Sequence, residues 1–164
     1  MFFEIEIVGG EGLSKLSLKI GQSIMMAMAM FAFVVFILWI SITEIMFVSD
    51  YLSYTGTSLS DALAAGSKSA ELWLITKRLW GVGLLGISVL MMFVTVRSYS
   101  KGERWSWYAL LVTGCLLWGS LIGYKVVIGY FQPTMSSMTF IVGAILFVLG
   151  LVVPAKAILG KKVT

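Results

Sequence analysis

The stretch Trp73–Trp107, WLITKRLWGVGLLGISVLMMFVTVRSYSKGERWSW, decides how the rest of the chain is read. Lys77 and Arg78 stand at one end of its apolar run and Arg97 at the other, with no charged residue between Arg78 and Arg97. At about 1.5 Å of rise per residue, that run spans close to 30 Å, the thickness of a bilayer's hydrocarbon core. Cations and tryptophans mark both rims, the pattern of a membrane crossing whose ends lie at headgroup depth.

Three more runs read the same way. Gly21 to Thr43, Trp105 to Tyr124 and the stretch between Val126 and Ala155 carry no charge. The expected crossings are residues 20–48, 71–98, 105–130 and 135–157, with 49–70 as an outer loop in which Ser58 or Ser60 caps a short helix. Pro133 is expected to end the third helix, and Gly102 to turn the chain in SYSKGER. Residues 1–19, broken at Gly9-Gly10, read as a surface lead-in, with LSKLSLKI lying along the interface.

Composition agrees. Of the residues, 59% are hydrophobic and only 12% charged, too few charges for a surface that faces water all round. The expectation is an all-α, integral-membrane four-helix bundle forming a single domain over residues 1–164. Lys15, Lys19, Arg97, Lys101, Arg104, Lys156, Lys161 and Lys162 flank one side, eight cations against the four of Lys68, Lys77, Arg78 and Lys125. That bias puts both termini in the cytoplasm, an N-in/C-in topology.

Several functions are disfavoured. The net charge of +4 is scattered over helix ends and makes no basic stripe, so nucleic acid is not an expected partner. Histidine is absent, which removes the commonest metal ligand, general base and physiological pH switch. No cofactor and no metal site is expected. Met25, Met26, Met28 and Met30 fall around the first helix instead of converging on a soft metal. The single cysteine, Cys115, excludes an intrachain disulfide.

The candidate binding residues are the ionisable groups at one depth: Glu44, Lys77, Arg78 and Lys125, with Thr43, Thr76, Tyr124 and Tyr130 as neutral partners. Glu44 reads as the only acid inside the crossings and is expected to pair with one of the cations, because a lone charge in low dielectric is costly. Two readings stay open. The cations anchor helix ends to lipid phosphates, or the group forms an outward-facing pocket for a polar or anionic small molecule or a lipid headgroup. Trp73, Lys77 and Trp80 share one helical face, which permits cation–π contact, although an aromatic belt places the same residues there. Cys115, Gly119 and Gly123 form a stripe of small residues expected to pack against another helix of the same chain or against another subunit, the former preferred.

In SYSKGERWSWYAL, following KRLWGVGLLG, the chain resembles prokaryotic four-helix membrane proteins of the DoxX-like kind, mainly over residues 73–112. The resemblance implies four crossings, a short second loop and a prokaryotic plasma membrane, and it implies no catalytic residues. The expected function is that of a non-catalytic accessory or assembly subunit in contact with the bilayer and with other membrane subunits or copies of itself. Its rival is a ligand-binding or transport protein using the outer pocket.

Overall fold

A backbone in an apolar medium must satisfy its own N–H and C=O groups, and the charge-free runs do so as helices. The computed structural model describes residues 2–129 and 135–160, with side-chain environments for 12–129 and 137–160. In it α1 spans Phe2–Ser41, α2 Thr43–Thr55, α3 Leu59–Ala64, α4 Lys68–Arg97, α5 Arg104–Val127 and α6 Met135–Leu159. The fold is all-α, and no strand occurs among the described residues. Gly12–Ser41, Lys68–Lys101, Arg104–Val127 and Ser137–Leu159 are each long and apolar enough to cross a membrane.

The first helix differs from expectation at both ends. It is continuous from Phe2, so residues 9–10 do not break it and no separate interfacial turn forms. At Ile42, whose φ is −124°, it breaks and resumes as α2 through Thr55, well past residue 48. Most of the expected outer loop is therefore helical. Gly56 ends α2 with a φ of +73° and gives its N–H to the Leu52 carbonyl, the left-handed cap that glycine adopts without strain. Ser58 precedes α3 but makes no side-chain cap, its Oγ lying 2.6 Å from Ser60 Oγ. Ser67 caps α4 by accepting from the Ala70 N–H. Pro133 lies outside the described residues.

On α4 the buried residues are Ala70, Leu74, Lys77, Gly81, Leu84, Ser88, Met91 and Thr95, at intervals that alternate four and three. That heptad seam is the signature of helices crossing at a shallow angle. α1 packs on α4 and α6, and α5 packs on α6 and α4, so the long helices form a ring in chain order around a core that includes Met28, Phe36, Trp39, Leu117 and Phe147.

Close approach of helices uses other small residues than expected. A Cβ at Gly114 would collide with Phe147, one at Gly143 with Trp118, and one at Gly21 with Pro154. Gly119 and Gly123 would meet nothing within 4 Å, and Cys115 is exposed. The preference for intrachain packing of that stripe is thus overturned. Gly114 precedes Cys115 by one residue, a rotation of about 100°, and it is this face that α5 turns to α6. The first-helix methionines also diverge, with Met25 and Met28 fully buried and Met30 exposed.

At the Gly102 end, Pro154 lies inside α6 and has no N–H for the carbonyl of Gly150, four residues back. Tyr99 supplies the missing donor, its hydroxyl giving a buried 2.6 Å hydrogen bond to Gly150 O. Trp107 Nε1 donates to Leu151 O at 3.0 Å, and Arg104 Nη2 to Leu159 O at 2.9 Å, in the last turn where carbonyls lack helical partners.

Candidate functional site

Ionisable groups come together at the opposite end of the bundle, around Asp50, an acid in the stretch expected to form the outer loop. On α2 the buried residues are Thr43, Met46, Phe47, Asp50 and Tyr51, so the inward face of the helix carries Asp50 into the interior. On α5, Leu117, Leu121 and Lys125 continue one buried face to the end of the helix. Lys125 Nζ donates to Asp50 Oδ1 at 2.6 Å, and the Tyr124 hydroxyl donates to Asp50 Oδ2 at 3.2 Å. The side chains of the ion pair are 2% and 1% exposed. Burying two charges is unfavourable, and such a pair persists only where geometry is good and further hydrogen bonds satisfy the carboxylate, as Tyr124 does here.

Lys77 occupies the heptad seam of α4 and is 5% exposed. Its ammonium lies 3.4 Å from the ring centroid of Tyr124, 5.0 Å from that of Trp80 and 5.4 Å from those of Phe47 and Trp73. It meets no hydrogen-bond acceptor among the described residues. Trp73 and Trp80 come from its own helix, at the spacing of four and three that puts them on its face. Phe47 comes from α2 and Tyr124 from α5, so the cage closes only when three helices meet. Each such contact contributes about 0.5–2 kcal/mol, more as the cation is desolvated. Trp39 of α1 extends the aromatic cluster, with ring centroids 4.4 Å from Phe47 and 5.8 Å from Trp80.

The remaining candidates do not converge on this cluster. Glu44 is not the only acid of the region, and its partner is neither Lys77 nor Lys125. It stands at the surface, 3.6 Å from Arg78, with both side chains about half exposed, at 58% and 49%. Arg78 Nε also gives a long 3.4 Å hydrogen bond to Thr43 Oγ1, whose own hydroxyl donates to Trp39 O at 2.7 Å. Thr76 is exposed and bonds back to Leu72 O. Tyr130 lies outside the described residues. Of the expected group, Lys77, Lys125 and Tyr124 share one buried site, while Glu44, Arg78 and Thr76 form the surface of α2 and α4. A groove of about 310 Å³ between α2 and α3 is lined by Glu44, Ile45, Val48, Leu59, Ser60 and Leu63, and none of the three cations borders it.

The chemistry open to the cluster is narrow. Its carboxylate has both oxygens engaged, and no group of three or more metal-ligating side chains forms among the described residues. What the arrangement does is bind α2, α4 and α5 together through one ion pair, one phenol and one caged ammonium. No protein-family model, curated protein or solved structure matches the chain.

Proposed function

We propose that the chain is a small polytopic protein of the cell membrane, a prokaryotic plasma membrane by its DoxX-like resemblance, with both termini cytoplasmic. It serves as a non-catalytic accessory or assembly subunit. One observation carries this reading: the buried ionisable groups join α2, α4 and α5 to one another. Asp50 of α2 is held by Lys125 and Tyr124 of α5, and Lys77 of α4 is enclosed by four rings that come from α2, α4 and α5. Groups used in that way hold helices in register.

The outer faces of the four long helices are apolar, and α5 turns outward a stripe on which another backbone can approach closely. Native mass spectrometry of gently extracted protein tests the reading. A stable complex with other membrane chains or with further copies supports a subunit. A chain that stays monomeric in every mild detergent and in lipid nanodiscs contradicts it.

A further inference from the structure

Among the described side chains at the Asp50 end, hydrogen-bond donors outnumber acceptors. Asp50 has Lys125 on one oxygen and Tyr124 on the other. Lys77, 5% exposed, meets four ring faces and no acceptor among the described residues. Trp39 is fully buried, its indole Nε1 meets no acceptor among the described residues, and the edge of that indole packs on Gly81, one turn along α4 from Lys77. Two buried ammoniums thus face one buried carboxylate. The segment that follows α5 cannot supply a second, because no Asp or Glu occurs from Val126 to Thr164. Ring faces offset part of an ammonium's desolvation, but they carry no net charge and replace none of its three strong hydrogen bonds.

We propose that this end of the bundle takes up an oxyanion of the phosphate class, with Lys77 as the residue that recognises it. The surplus positive charge calls for an anion, and the bare N–H groups call for oxygen acceptors. The cluster lies level with the ends of the apolar runs, the depth at which lipid phosphates are found. A lipid phosphodiester and free phosphate offer the same chemistry. This inference stands independently of the subunit reading, since a subunit and a solitary protein can hold a phosphate equally well.

The test uses the full chain purified in a phosphate-free detergent, as wild type, Lys77→Met and Glu44→Gln. Native mass spectrometry compares added phosphatidylglycerol with diacylglycerol, and calorimetry compares sodium phosphate with sodium chloride at constant ionic strength. The expected result is binding of a phosphate-bearing probe by wild type and Glu44→Gln. Lys77→Met should weaken it about thirtyfold or more, as when one side of a buried charge contact is removed. Retention of phosphatidylglycerol without response to inorganic phosphate identifies the lipid headgroup as the source, and the converse identifies free phosphate. Wild type that takes neither probe overturns the proposal, as does a Lys77→Met variant that binds as tightly as wild type. Should Lys77→Met fail to fold, the thermal midpoint of wild type decides, compared in phosphate against chloride and in phosphatidylglycerol against diacylglycerol, and equal midpoints in both comparisons overturn it.

Discussion

Replacing Asp50 with asparagine should be the most damaging polar substitution in the chain. The variant keeps the shape of the side chain and an oxygen for Tyr124, but it leaves the Lys125 ammonium without its counter-ion in a site where the pair is 1–2% exposed and 2.6 Å apart. Breaking a buried pair by removing one partner typically costs about 3–5 kcal/mol. Lys125→Met alone leaves a buried carboxylate and should cost a similar amount. The double variant removes both charges and should recover much of the loss, because the cost of each single change is mostly that of the stranded partner. The resulting coupling is about 2 kcal/mol or more, inside the range for contacting residues. Glu44 and Arg78 supply the control. They are half exposed and 3.6 Å apart. Water screens them, so Glu44→Gln should cost at most about 1 kcal/mol and couple to Arg78 by less than about 0.5 kcal/mol. Reversible unfolding in mixed micelles, read by tryptophan fluorescence, measures both cycles. A coupling below about 0.5 kcal/mol for Asp50 with Lys125 would refute the argument that this pair is desolvated.

Three further outcomes are expected. A reporter active only outside the cytoplasm should give signal when fused near Ser58 and none near Gly102, and the reverse pattern overturns the cation-based orientation. Gly114→Leu and Gly143→Leu should each destabilise the bundle by about 1–3 kcal/mol through overpacking against Phe147 and Trp118, whereas Gly119→Leu and Gly123→Leu should stay within about 0.5 kcal/mol of wild type as measured on the isolated chain. If instead the second pair unfolds the monomer, α5 is rotated from the orientation described. Tyr99→Phe should cost about 1–3 kcal/mol by leaving the Gly150 carbonyl bare, and an unchanged unfolding midpoint would show that the carbonyl finds another donor.

The four long helices were legible because a charge inside hydrocarbon is so unfavourable that charge-free length alone identifies them. The same logic hid Asp50. Ser49 and Asp50 open a hydrophilic stretch, which in sequence reads as the end of the first crossing at residue 48. The residues Thr43, Met46, Phe47, Asp50 and Tyr51 nevertheless follow the i, i+3, i+4, i+7, i+8 spacing of one helical face, and that period was the available signal that Asp50 points inward. Half of the Lys77 cage was readable from the positions of Trp73 and Trp80 on its own helix. Phe47 and Tyr124 arrive from other helices, and no single-helix period reports on that. The glycines of α5 failed for a related reason. Gly114 and Gly119 sit on different faces of one helix, and the choice between them is made by the Phe147 ring on α6.

The Tyr99 hydroxyl on Gly150 has a consequence for the assembly of α6. In hydrocarbon a helix normally brings every backbone partner with it, and α6 falls one donor short, because Pro154 strips the donor from one of its carbonyls. The replacement comes from the connection between α4 and α5, 51 residues earlier in the chain. Trp107 and Arg104, from the start of α5, bond the same helix at Leu151 and Leu159. The backbone of α6 is thus completed by its docking on the α4–α5 hairpin, and an undocked α6 keeps the Gly150 carbonyl bare in hydrocarbon.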